Sequence, residues 1–555
     1  MNELSAPRTS SLRDHWQLLP LLGLATLLRL WQINESLWLD ELHSAWVVSA
    51  GVGDVLERAQ MGNQSPLYFY LPWATTALLG MSEWSLRLPS LVAGVGLVAM
   101  AYGLAYQFTR SRIAAGACAT LVALDHNFLF YATETRPYAC VQLVAAFQLL
   151  VFWRLQDATS VRRRAIFVAS TVLLFYLHYT AILLVAGETL FLLTRSFICR
   201  QQSSSTEYKC RQHVIDLICI AALTIPTAAH LLDIGSRRDT WTTFINDTSL
   251  LLPIYWFSFV SYVAVPVFAV LGTIVAITRR RDEPLNRSVL RLGSSRRSVM
   301  ATLLLACWLG VPLVIVWLLT VTRIAPLYLG RYVIGAALAP VGFASLCVGF
   351  QQSTRSQLTT AALIITYAFL ASGMIEQLRY DGRLFGDRTE NWRDAVRYVN
   401  EGSDLARDSP VFVRSGLLEA DRLIGDDSEA LRRYCVSPVT SIYRIERLDN
   451  EIRPLTTRDA GKLTDENLNQ IEASGSAWFI INGTTGTRKR CSEQVVNSLE
   501  KEIDRATYTA IQRGLVLYEE QFGHVGVFYV ELWEIDDQVT PLDDQPTSPS
   551  SIAPP

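Results

Sequence analysis

Charge is what this sequence has least of. Asp, Glu, Lys and Arg supply only 18% of its 555 residues, against 50% from the hydrophobic set, whereas a soluble chain carries roughly a quarter charged residues. The formal net charge is −2, which excludes the basic field that nucleic-acid binding requires. No glycine-rich loop of the Walker or Rossmann kind is present, so nothing is built to cradle a nucleotide. The nine cysteines lack the CxxC or Cys/His spacing of a zinc site. Seven of them (Cys118, Cys140, Cys199, Cys210, Cys219, Cys307 and Cys347) fall in or beside apolar stretches and read as packing residues. No internal repeat is visible.

The apolar residues are clustered, and the mean hydropathy is +0.23, so the chain reads as a polytopic helical membrane protein. A span needs about 20 apolar residues. Eleven are predicted, at 17–33, 86–108, 113–131, 138–153, 165–181, 182–195, 214–231, 251–278, 299–321, 332–350 and 358–377. The opening residues carry Arg8, Arg13 and His15 but no cleavable signal pattern, so the first span is expected to stay as an anchor. Ser65 to Gly80 is apolar but short and interrupted by Pro66 and Pro72, which suits an interfacial or re-entrant helix.

Basic residues concentrate in alternate loops: Arg110 and Arg112; Arg154 and Arg162 to Arg164; Arg195, Arg200, Lys209 and Arg211; seven arginines from Arg279 to Arg297; Arg355. The positive-inside rule puts these loops and the N-terminus in the cytoplasm, and everything after residue 378 outside. Residues 1–380 then form the transmembrane domain, with a long first external loop at 34–85. Composition changes sharply after that. In 381–536, helix-like stretches alternate with β-branched and aromatic runs at Val411-Phe412-Val413, Trp478 to Ile481 and Val525 to Trp533, which read as an extracytoplasmic α/β domain. Cys435 and Cys491 are the only cysteines there, and an oxidising compartment would make them a candidate disulfide. The Asp-, Pro- and Ser-rich tail 537–555 is expected to be disordered.

Two groups of residues could carry chemistry. Asp40 and Glu41 sit in an unusually apolar setting just outside the first span, between Trp38, Leu39 and Leu42, with His43 next to them. A carboxylate at a membrane interface can serve as a general base; the competing reading is an amphipathic helix whose acids face water. The second group is basic and external: Arg87, Arg136, Arg237, Arg238 and Arg331 lie at outer span ends or in external loops. Converging guanidiniums suit a phosphate, and the alternative is that each anchors its own helix end by snorkelling. Glu134, Tyr138, His178, Tyr179 and Tyr332 flank them as candidate pocket residues. A base and phosphate-binding arginines on the outer side, without a nucleotide site, fit transfer from a lipid-linked phosphate. Such a leaving group needs cationic stabilisation more than a strong general acid.

The order of Leu37-Trp-Leu-Asp40-Glu41, Ser65-Pro66-Leu67-Tyr68, Arg87-Leu-Pro89-Ser90, Glu134-Thr-Arg136-Pro-Tyr138, Leu177-His178-Tyr179, Arg331-Tyr332 and Asn391-Trp392-Arg393-Asp394 resembles integral membrane glycosyltransferases of the C-type fold. The likeness is to the protein O-mannosyltransferase and aminoarabinose-transferase group with its bacterial family 39 members, and it spans residues 15–400. It implies a polyprenyl-phosphate-sugar donor, an extracytoplasmic acceptor (lipid, glycan or protein), a bacterial plasma membrane location and an inverting transfer. It also implies Asp40 as base with Glu41 as partner, and phosphate contacts at Arg87, Arg136 and Arg331. Some relatives hold a divalent ion such as Mg or Mn near the acids; here only Asp40 and Glu41 could offer ligands, with no third in view. The C-terminal part lacks the β-trefoil repeats of eukaryotic protein mannosyltransferases. A catalytically inactive binding or scaffold protein stays open as an alternative. A secondary transporter would need paired broken helices and ionisable groups at mid-span.

Overall fold

A computed structural model of the chain describes residues 16–198, 208–236, 247–257, 296–384, 388–402, 409–425, 428–446, 452–457, 463–502 and 520–532. The chain divides into two units, Met1–Arg388 and Thr389–Pro555.

The first unit is helical. Among the described residues six helices are long and apolar enough to cross a membrane: Glu83–Thr109, Tyr138–Asp157, Tyr179–Ile198, Cys210–Ser236, Arg297–Val321 and Thr354–Asp381. Two bent pairs raise this to eight, Arg112–Leu124 with His126–Ala132 at 61° and Gly330–Ala336 with Leu338–Gly349 at 40°. The expected count of eleven is not confirmed among the described residues. The first expected span is the 13-residue helix Leu18–Leu30, about 20 Å long against a hydrocarbon core of about 30 Å. The stretch expected at 165–181 is the helix Val161–Leu177, whose first turn holds Arg162, Arg163 and Arg164. The stretch expected at 251–278 lies outside the described residues beyond 257. Pro66 and Pro72 begin a 3-10 turn and a short helix, Leu67–Phe69 and Tyr70–Leu79, in the loop that precedes the first long span.

The 61° bend has a visible cause. It leaves helix-end carbonyls without amide partners, and the buried Arg29 donates to two of them, Val122 O at 3.3 Å and Ala123 O at 3.5 Å. The Asp125 carboxylate then caps the next helix by accepting from Phe128 N at 3.0 Å. Gly94 lets these parts meet: a Cβ there would lie 2.3 Å from the Ala132 Cβ and 3.0 Å from the Arg29 Nε.

The second unit holds a five-stranded mixed sheet of β1 (Val411–Arg414), β2 (Ile452–Pro454), β3 (Ser476–Asn482), β4 (Glu520–Phe522) and β5 (Val525–Glu531), in the order β2-β1-β3-β5-β4. β1 runs parallel to β2 and β3, and β5 antiparallel to β3 and β4. Register places Phe412, Phe479 and Phe528 side by side, with ring centroids 5.1 and 4.8 Å apart. Cys491, Val495 and Leu499 of the helix Thr485–Glu502 complete this core. Cys435 and Cys491 are both free, buried thiols, so the candidate disulfide is not present. Cys491 packs beneath the aromatic row, whereas Cys435 ends a different helix, Glu429–Cys435. The tail from residue 537 lies outside the described residues.

Candidate active site

The acidic pair opens the helix Leu39–Val48. Carboxylates favour a helix N-terminus because its free N–H groups carry partial positive charge. Neighbouring side chains on a helix point about 100° apart, so two adjacent acids enter two environments. Glu41 turns inward and is 0% exposed; the Asp40 side chain keeps 28% of its surface.

Glu41 is fully clamped. Arg87, also 0% exposed, donates from Nε to Oε1 at 2.8 Å and from Nη2 to Oε2 at 2.6 Å. The Thr135 amide donates to Oε1 at 2.8 Å, and Arg388 Nη1 lies 3.4 Å from Oε2. Burial alone would raise this carboxyl, but the Arg388 and Arg87 charges and these hydrogen bonds hold it below its ordinary value. The remaining Arg87 N–H groups go to the carbonyls of Ile33 (2.7 Å), Glu35 (2.7 Å) and Ser36 (3.3 Å). All five of its donors are thus engaged. In this structure the guanidinium fixes Glu41 and the 33–36 turn, leaving none of its N–H groups directed to a phosphate.

Asp40 faces the other two arginines. Its Oδ2 lies 3.3 Å from Arg331 Nη1 and 3.7 Å from Arg136 Nη2, and Arg136 Nη1 donates to the Asp40 carbonyl at 3.3 Å. The Arg331 side chain is 39% exposed, so its outer N–H groups reach beyond the protein. Its guanidinium lies 5.7 Å from the Tyr332 ring. His178 stands between Tyr138 and Tyr332, at 5.9 and 6.0 Å, and Thr180 ties the wall together by donating to the Tyr332 carbonyl at 2.7 Å. Tyr138, His178 and Tyr332 thus form an aromatic wall joined to Arg331. The structure pairs Tyr179 elsewhere, its hydroxyl 3.0 Å from His230 Nδ1. His43 is 5% exposed, its ring 5.9 Å from that of Phe69 and so close to Gly62 that a Cβ there would lie 2.3 Å away. Burial first, then the Arg136 charge, pushes its pKa down to about 3, so the His43 ring is uncharged where it packs. Arg237 and Arg238 lie outside the described residues.

The turn 133–136 joins the two halves of the site. Its Thr135 amide holds Glu41, its Thr135 carbonyl accepts from Ser44 at 2.7 Å, and its Arg136 carbonyl accepts from Ser90 at 3.2 Å. The Tyr68 hydroxyl lies 2.9 Å from that of Ser90. Sequence pieces far apart in the chain are therefore wired into one cluster. Arg388 is the member that sequence reasoning missed. It stands three residues before Asn391, in the stretch that carries the Asn391-Trp392-Arg393-Asp394 piece, and that proximity is the signal that could have found it.

Glu134, in the same turn, is 0% exposed and neither carboxyl oxygen has a hydrogen-bond partner among the described residues. Burial first, then the charge of Glu41, pushes its pKa up to about 8 from an ordinary 4.5; Arg136 and Arg388 oppose this and Asp40 adds to it. The folded state therefore binds this proton more tightly than the unfolded chain. The associated stability is fully present below about 4.5 and is lost as pH rises through about 8. Glu134→Gln removes the proton from the balance. Thermal unfolding should show the variant gaining on wild type between pH 5 and pH 9; a constant difference contradicts this assignment.

The donor set does not fit a divalent cation. Both Glu41 oxygens already accept from N–H donors, Asp40 faces two guanidiniums, and no group of three His, Cys, Asp or Glu side chains converges among the described residues.

Residues 63–224 match the family model of the dolichyl-phosphate-mannose-protein mannosyltransferases. That match takes in Arg87, Glu134, Arg136, Tyr138 and His178 but stops short of Asp40 and Arg331. Among solved structures, ArnT from Cupriavidus metallidurans in the apo state has 11% identity and a TM-score of 0.52, covering 94% of this chain and 98% of its own. The same protein bound to undecaprenyl phosphate gives 11% and 0.53, with 92% and 97% covered. The oligosaccharyltransferase of Archaeoglobus fulgidus is a looser likeness, at 11% identity and a TM-score of 0.45, covering 85% and 70%. Curated protein sequences give no match. Along nearly its whole length the chain has the fold of ArnT, and over residues 63–224 it resembles the dolichyl-phosphate-mannose-protein mannosyltransferase family.

Proposed function

We propose that this protein is an inverting glycosyltransferase that moves a sugar, a hexose or pentose, from a polyprenyl phosphate to an extracytoplasmic lipid, glycan or protein. The observation that carries the reading is the partly exposed Asp40 between two guanidiniums, on a helix whose next residue is locked into a buried ion pair. The lipid carrier seen on the similarly folded ArnT supports it.

The donor phosphate displaces Asp40 from Arg331 and, in part, from Arg136, since both arginines can offer paired N–H groups to phosphate oxygens. Asp40 is thereby freed toward the acceptor hydroxyl. The acceptor oxygen forms its bond to the anomeric carbon as the bond from that carbon to the phosphate oxygen breaks. The hydroxyl proton passes to Asp40, and the bonding pair leaves with the phosphate, whose growing charge the two guanidiniums stabilise. Attack opposite the leaving group inverts the anomeric centre. Glu41 takes no proton: clamped by Arg87, it sets the helix start and so the direction of Asp40.

The alternating arginine-rich loops support a cytoplasmic N-terminus, with the site and the second unit on the extracytoplasmic face of a bacterial plasma membrane. Arg331→Ala should weaken binding of a polyprenyl-phosphate sugar by ten- to a hundredfold, the range of about 1.5–3 kcal/mol for a charged hydrogen-bonding group. Calorimetry or a fluorescent donor measures this, and unchanged affinity would remove Arg331 from the phosphate site.

A further inference from the structure

Arg87 alone already satisfies both oxygens of Glu41, so the second guanidinium at the same carboxylate needs its own explanation. Arg388 is 5% exposed and stands at the end of a strap of residues that follows the span Thr354–Asp381. The described part of that strap is tied to the turn after the first helix at three points. Trp31 Nε1 donates to the Gly382 carbonyl at 3.0 Å, the Leu384 amide to Gln32 Oε1 at 2.7 Å, and Arg383 Nε to Glu35 Oε1 at 3.1 Å. Arg388 then reaches two targets at once. Nη1 lies 3.4 Å from Glu41 Oε2, while Nη2 donates to the Thr133 hydroxyl at 3.0 Å and to the Thr133 carbonyl. The guanidinium rests against the Phe130 ring, 5.6 Å from its centroid.

Thr133 opens the turn whose Thr135 amide holds Glu41 and whose Arg136 holds Asp40. We propose that Arg388 is a positioning residue that pins the 133–136 turn to Glu41 and thereby sets Arg136 against Asp40. It touches neither donor nor acceptor. The inference rests on the glycosyltransferase reading for its kinetic consequence, but its structural half can be measured without turnover.

Two readouts test it on the full-length protein in detergent or nanodiscs. The first is hydrogen exchange of the peptides covering 133–137 and 38–44, compared between wild type and Arg388→Ala. Both segments should exchange faster in the variant while peptides from the Leu338–Gly349 helix stay unchanged. The second is steady-state transfer: kcat should fall about a hundredfold, the typical cost of a misplaced reacting group, while donor affinity falls less than tenfold, because Arg136 is displaced but Arg331 keeps its place at the phosphate. Arg388→Lys should not rescue kcat, because a single ammonium nitrogen cannot stand at once where Nη1 meets Glu41 and Nη2 meets Thr133. Full rescue by Lys, or donor affinity falling in step with kcat, would show a charge or phosphate contact and overturn the proposal. Unchanged exchange overturns it whatever the activity. Should Arg388→Ala fail to fold, Arg388→Gln, which keeps an N–H toward Thr133 and loses the charge at Glu41, carries the same expectations. A wild type that turns over no donor, together with faster exchange in the variant, sinks the glycosyltransferase reading and leaves the positioning role standing.

Discussion

Asp40→Asn should abolish sugar transfer and leave the donor bound. The substitution keeps the shape of the side chain and removes its capacity to take a proton, and loss of a general base lowers rates by about 10²–10⁴. Asp40 is also the counter-charge of Arg331 and Arg136, at 3.3 and 3.7 Å. Neutralising it leaves both guanidiniums free for phosphate, so donor affinity should hold or rise. Loss of the Arg331 pairing should cost little stability, because the two side chains keep 28% and 39% of their surface, whereas the buried Arg136 loses its counter-charge and accounts for most of any destabilisation. The measurement is paired: release of polyprenyl phosphate and donor affinity on the same preparation. Activity within tenfold of wild type would remove Asp40 from the mechanism, and lost binding would make it a donor ligand.

The adjacent acid should behave in the opposite way. Arg87→Ala strips Glu41 of its bidentate partner in a site with no water access, and breaking one half of a buried pair costs about 3–5 kcal/mol. It also strands the carbonyls of Ile33, Glu35 and Ser36. Arg87→Lys should recover little of this, since an ammonium offers three donors where five are used and cannot match the planar fork. Unfolding in detergent reads the effect as a large loss of stability or of folded yield. A well-folded, inactive Arg87→Ala protein with lost donor binding would instead restore the phosphate role first expected of Arg87.

These contrasting expectations show what the sequence could and could not say. The acidic pair was legible because polar residues stood out in an apolar setting, and Arg136 and Arg331 because arginine is unexpected at outer span ends. The division of labour was not. Whether a guanidinium meets solvent or five acceptors depends on which turns close over it, and Arg87 is sealed by the 33–36 carbonyls, a backbone feature without a side-chain signature. Tyr179 follows His178 directly, but the 3-10 turn Tyr179–Ile182 sends it toward His230. The β-branched runs around Val411, Trp478 and Val525 are strands β1, β3 and β5 because their residues are almost all buried. The described helices depart from the expected spans where they are short or bent, as in the 13-residue first helix and the 61° break at which Arg29 takes up the freed carbonyls.

In the proposed function, the open half of this site takes a sugar from a lipid phosphate. Its most direct test is incubation of the purified protein with a panel of polyprenyl-phosphate sugars, following free polyprenyl phosphate. Wild type should release polyprenyl phosphate from at least one donor, and Asp40→Asn from none. Failure of wild type both to bind and to cleave every donor in the panel would contradict it.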